Sequence, residues 1–121
     1  FGKEKVIEAD RFNKEGDSLF KLGQYEKAAF KFEEATKLNN LEIPYFENAA
    51  NAFMQISNHT KVFEITNYII QNFENYSGKV HYIRAISLIE QNKLKDACQE
   101  LASSFKLGFR GAKVLQNSYC R

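Results

Sequence analysis

Small residues return at nearly constant spacing along this chain of 121 residues. Gly16, Ala50 and Ala85 stand 34 and 35 residues apart. The same shift carries Ala28 to Val62 and Ala97, Leu19 to Phe53 and Leu88, and Phe32 to Thr66 and Leu101. Small positions fall on small ones and large positions mostly on large ones. Two helices approach closely only where a side chain is small, and a large neighbour then fills the gap beside it. A period of this length predicts a stack of similar helical hairpins. No stretch shows the sustained period-two alternation of a half-buried strand.

Apolar residues recur at three and four spacings through most of the chain, which is the helical period. They predict seven helices, over Lys3–Leu22, Tyr25–Leu38, Pro44 to the segment ISN, Thr60–Phe73, Lys79–Glu90, Leu94–Phe105 and Arg110–Tyr119. Gly23 is placed to close the first helix in a left-handed conformation, and Asn58 and Asn92 are expected to do the same after the third and fifth. Pro44 fits a first helical turn, where no amide partner is lost.

The rest of the composition narrows the function classes. The net charge is +2, with 17 basic and 15 acidic residues interspersed. That is not the basic stripe expected of a protein that binds nucleic acid or an anionic membrane. No apolar run approaches the ~18 residues of a membrane-spanning helix, so no direct membrane insertion is expected. The chain begins at Phe1, which reads as a fragment or as a chain that has lost a leader. No nucleophile–base set, phosphate loop or metal-ligand constellation is evident, so no catalytic residue, metal or cofactor is expected. His59 is expected in a turn and His81 near a helix start, both as surface histidines without a catalytic partner. NHT at Asn58 and NYS at Asn75 fit the glycan-acceptor pattern, which has meaning only in a glycosylating secretory pathway.

The period and its residues resemble the tetratricopeptide repeat, a helix–turn–helix unit of 34 residues. The first repeat, over residues 9–42, carries Phe12, Gly16, Leu19, Leu22-Gly23, Tyr25, Ala28, Phe32, Ala35 and Leu38. It departs at Glu15, where the family has Leu, and at Asn40, where it has Pro. The second, over 43–76, keeps Phe46, Ala49, Ala50 and Phe53, but has Thr66 at an aromatic position. The third, over 78–111, keeps Ala85, Leu88, Leu94, Ala97 and Leu101. The resemblance implies an all-α fold over residues 1–121: a right-handed α-solenoid of three hairpins plus a C-terminal capping helix over 110–119.

The C-terminal segment is similar to the closing unit of many tetratricopeptide proteins of the Bacteroidetes bacteria, in Ala97-Cys98, Leu101, Leu107-Gly108, Ala112, Leu115 and Tyr119-Cys120. That similarity implies an exported, periplasmic or envelope-associated protein rather than a cytoplasmic one. Cys98 belongs to the first turns of the sixth helix and Cys120 lies just past the seventh, so antiparallel packing would set the two ends side by side. In an oxidising compartment a disulfide there would pin the cap; in a reducing one, Cys98 is a small buried hydrophobe and Cys120 a frayed thiol.

In the resembled family the first helix of each repeat lines a concave face. The corresponding groove positions are Asn13, Asp17, Phe20 and Lys21 in the first repeat, Glu47, Asn51, Met54 and Gln55 in the second, and Lys79, Tyr82, Ile86 and Ile89 in the third. Amides with Phe, Met and Tyr suit a peptide or helix laid in a groove, so the expected partner is a protein or peptide segment. A chaperone-binding subclass clamps a peptide's terminal carboxylate, and its positions fall on Asn13, Asp17, Asn48, Lys79 and Ile83. Asn48 and Lys79 agree, whereas Asp17 sets a negative charge where a carboxylate would sit, which disfavours that ligand. The alternative is a structural segment of a larger envelope protein that self-associates through an exposed end helix.

Overall fold

A computed structural model describes residues 2–121 and contains seven α-helices. They are α1 (Lys3–Lys21), α2 (Tyr25–Leu38), α3 (Ile43–Gln55), α4 (His59–Asn72), α5 (Lys79–Glu90), α6 (Leu94–Lys106) and α7 (Gly111–Tyr119). Each expected helix is present, with ends within about two residues of the expected ones. No strand occurs among the described residues.

The small residues of the period are the contact points. Ala28, Ala50, Ala85, Ala97 and Val62 have no solvent exposure, and Phe32, Thr66 and Leu101 fill the spaces beside them. At Gly16 the approach is tightest: a Cβ there would lie 2.7 Å from the Phe32 ring. The main core is continuous from Ala28 and Phe32 in α2, through Phe46, Ala50 and Phe53 in α3 and Val62 and Ile69 in α4, to Val80 and Ile83 in α5. A second cluster of Ala9, Ala35 and Tyr45 joins α1, α2 and α3. A third, of Ala85, Leu101 and Ala112, seats α7 against α5 and α6. Consecutive helices pack on each other, and α1 also touches α3 as α3 touches α5. The helices α2 and α4 stand further apart, with a cleft of about 210 Å³ between Glu33 and Thr36 of one and Glu64 and Tyr68 of the other. The stack therefore closes on the α1–α3–α5 side and opens on the α2–α4–α6 side, as in a helical-repeat solenoid.

The three turns inside the hairpins close in the same way. Residues with positive φ stand at Gly23 (77°), Ser57 (56°) and Asn92 (60°), again 34 and 35 residues apart. The following amides of Gln24, Asn58 and Lys93 each donate to the carbonyl five residues back, on Leu19, Phe53 and Leu88, at 2.9 Å. This is the Schellman closure, which satisfies carbonyls left open at a helix end. The expectation that Asn58 would be the left-handed residue is corrected to Ser57. Asn58 instead caps α4, its Oδ1 accepting from the Lys61 amide at 3.2 Å.

Cys98 and Cys120 are joined by a disulfide, with Cα atoms 5.8 Å apart. It ties the end of α7 to the start of α6 across a sequence separation of 22, a loop whose closure is worth about 3 kcal/mol by chain entropy. Gly78 matters at the other end of the third hairpin. Ser104 Oγ donates to its carbonyl at 2.7 Å, and a Cβ on Gly78 would meet Ser104 O at 2.3 Å.

A left-handed conformation costs a side-chain-bearing residue about 1 kcal/mol relative to glycine. Ser57→Gly is expected to raise unfolding free energy by about 0.5–1 kcal/mol, and Gly23→Ala to lower it by a similar amount. Urea unfolding followed by circular dichroism checks both. Opposite signs would show that these turns are not strained as described.

Candidate interaction surface

The face formed by α1, α3 and α5 carries the positions expected to line a groove. Two of its residues meet directly: Asn48 Nδ2 donates to Asn13 Oδ1 at 2.9 Å, linking α3 to α1. Glu47 accepts from Ser77 Oγ at 3.3 Å, which links α3 to the start of α5. Asp17 pairs with Lys21 one turn on, at 2.9 Å, and both remain largely exposed. Gln55 is exposed, while Asn51, Lys79 and Ile89 are half-buried. No other charged group is an ion-pair partner of Lys79 among the described residues.

The apolar members of the set are more deeply used by the fold. Met54 is 8% exposed and belongs to the main core, so it is not an anchor open to a ligand. Phe20 packs on that core and meets Tyr25 edge-on at 4.9 Å. Ile86 packs on the same core. Tyr82 lies 4.7 Å from Phe109 and helps to seat α7. The centre of the face is thus polar and open, with half-buried apolar edges at Phe20, Tyr82 and Ile86. Ile83, at a clamp position, is 2% exposed and leaves no cation there.

A separate open space lies elsewhere. A shallow cleft of about 1040 Å³ lies at the hairpin-turn edge, lined by Leu19, Tyr25, Phe30 and Ile56. Its charged side chains, Glu26, Lys27 and Lys31, are of mixed sign.

The histidines depart from expectation, because both have partners from other helices. His59 Nδ1 is 2.6 Å from Ser87 Oγ, and its Nε2 is 3.8 Å from Glu90. Ser87 has no solvent exposure, so this Ser–His–Glu set offers no accessible nucleophile and acts as a strut between α4 and α5. His81 Nδ1 donates to Glu100 Oε1 at 2.7 Å, and Arg84 Nε donates to the same oxygen at 3.1 Å. Arg84 Nη1 also donates to Thr66 Oγ1 (3.0 Å) and Asn67 Oδ1 (2.7 Å), and the guanidinium lies over Phe63 at 4.5 Å. Thr66 in turn donates to Val62 O at 2.8 Å. The hydroxyl that breaks the large-residue pattern is therefore one end of a network joining α4, α5 and α6. Glu15, another departure, pairs with Arg11 at 2.8 Å and reaches Lys31 of α2 at 3.2 Å.

The stack of hairpins, closed on its α1–α3–α5 side, defines a helical-hairpin repeat protein. Residues 9–41, the first hairpin, match the tetratricopeptide repeat family model, and the chain as a whole is built of stacked helical hairpins. It superposes on the TPR domain of Arabidopsis OM64 with a TM-score of 0.85 at 20% identity, covering 95% of this chain and 96% of that one. The first TPR domain of human RPAP3 gives 0.75 at 16% identity, over 93% and 94%. In sequence the chain is 28% identical over 82 residues to the Hsp70-Hsp90 organising protein of Plasmodium falciparum, and 29% identical over 100 residues to the E3 ubiquitin-protein ligase CHIP of Arabidopsis thaliana. Those matches cover 68% and 83% of this chain but only 14% and 36% of the relatives.

Burial raises the affinity of Glu100 for a proton, but the hydrogen bonds and charges of His81 and Arg84 outweigh it and hold the carboxyl below its ordinary 4.5. A depressed carboxyl stabilises the folded chain fully above the unfolded value, and the contribution is lost as pH falls through the lower folded value. Glu100→Gln is expected to cost about 1–3 kcal/mol at neutral pH and to flatten the loss of stability below about pH 4.5. Thermal unfolding from neutral to acid pH, parent against variant, checks both.

Proposed function

We propose that this chain is a non-catalytic protein-interaction module that holds a peptide or helical segment against the α1–α3–α5 face. The observation that carries this reading is the open polar strip of Asn13, Asp17, Asn51 and Gln55 across two helices, edged by Phe20 and Tyr82. Amides on such a strip pair with the backbone of an extended or helical ligand, while the ring edges take its apolar side chains. The reading places three repeats over 9–42, 43–76 and 78–111, with α7 as the cap.

The names of the relatives invite a chaperone segment as ligand. Two features of this chain weigh against a terminal-carboxylate clamp of the usual composition. Asp17 puts a carboxylate on the strip, and Ile83 fills a cationic clamp position with a buried aliphatic side chain. An internal segment that offers donors to Asp17 and Glu47 suits the face better. The disulfide favours an oxidising location for the chain.

Peptides selected from a random display library on the parent protein test the proposal. A double variant, Asn51→Arg with Gln55→Arg, fills the strip without touching the core. Selected peptides are expected to lose affinity by about tenfold or more on that variant, with its fold verified by circular dichroism. Unchanged affinity on the folded variant would remove the strip as the binding site.

A further inference from the structure

We propose that the outer end of the stack, formed by α6 and α7, is a second docking surface, for an acidic peptide segment with an apolar side chain beside its carboxylates. Charge is the first ground. Residues 93–121 carry Lys93, Lys95, Lys106, Arg110, Lys113 and Arg121 against Asp96 and Glu100 alone. All six cations are exposed, and none has an ion-pair partner among the described residues. Glu100 is committed to His81 and Arg84. In the first hairpin, by contrast, Arg11, Lys14, Lys21, Lys31 and Lys37 each have a carboxylate within 3.2 Å, and Lys3, Lys5 and Lys27 stand outside ion pairs among the described residues. The near-neutral chain therefore hides an asymmetric field, and a cluster of unpaired cations attracts and orients an anionic partner.

Shape is the second ground. An open cleft of about 380 Å³ is lined by Phe105, Gly108, Arg110 and Lys113. Phe105, 46% exposed, forms an aromatic wall, with Lys113 Nζ 5.9 Å from its ring centroid. Gly108, at φ 92°, leaves the space between them free of any side chain. Arg110 offers a planar fork to a carboxylate and Lys113 a point charge, while the ring takes an adjacent apolar group. A concave cleft with an aromatic wall receives a side chain, which favours a peptide over a flat lipid surface.

The test uses the intact oxidised protein and a fluorescein-labelled peptide of Glu residues interspersed with Tyr and Leu, read by fluorescence anisotropy. Saturable binding is expected that weakens with salt and falls by about tenfold or more in Arg110→Glu/Lys113→Glu. Phe105→Ala is expected to weaken it without any change of charge. The strip variant Asn51→Arg/Gln55→Arg, and Lys3→Glu/Lys5→Glu at the opposite end, are expected to bind as the parent does. Circular dichroism confirms that each variant folds. Absence of binding, equal loss in Lys3→Glu/Lys5→Glu, or indifference to Arg110→Glu/Lys113→Glu would overturn the proposal. So would stronger binding to single-stranded DNA, or to phosphatidylcholine vesicles with roughly a quarter phosphatidylglycerol.

Discussion

The close approach of one helix to the next at a residue with little or no side chain is the contact on which everything else in this molecule rests. At Gly16 the Phe32 ring occupies the volume that even a methyl group would claim. Ala50 and Ala85 repeat the arrangement one and two hairpins later, each without solvent exposure. Such contacts are short-range and steeply distance-dependent, so they fix the spacing and register of the helices more tightly than larger side chains would. With the register fixed, α1, α3 and α5 must lie side by side, and their outward positions become one continuous face.

Two polar devices sit on top of this apolar frame. The Arg84 network crosses from α4 to α6 and ties the second hairpin to the third. A half-buried guanidinium is tolerable there because Glu100 accepts from its Nε, Thr66 and Asn67 accept from its Nη1, and Phe63 lies under its plane. The disulfide then holds α7, the shortest helix, over the apolar surface of Ala85 and Leu101.

Much of the fold was legible in the sequence because the frame is periodic. The shift that relates Gly16 to Ala50 and Ala85 relates every helix to its counterpart, and local apolar spacing gave the helix limits. Ser57 shows the period outweighing local propensity. Asn58 is the better left-handed residue in isolation, but the register of Gly23 demands position 57 and leaves Asn58 free to cap α4. The partners of His59 and His81 were not legible. Ser87 and Glu100 lie 28 and 19 residues away, on other helices, and no local spacing reveals them. The burial of Met54 was missed for a related reason: a helix in the middle of a stack is covered on more than one side, so an outward position by simple helical period can still be enclosed.

The central claim about this molecule is that its hairpins depend on one another through their small-residue contacts. Hydrogen exchange, resolved by residue, on Ala50→Leu would test this most directly, since the added side chain overpacks the centre of the stack and changes no charge. The account predicts faster exchange in α2 and α5 as well as in α3 and α4. Loss of protection confined to α3 and α4, with α2 and α5 exchanging as in the parent, would contradict it.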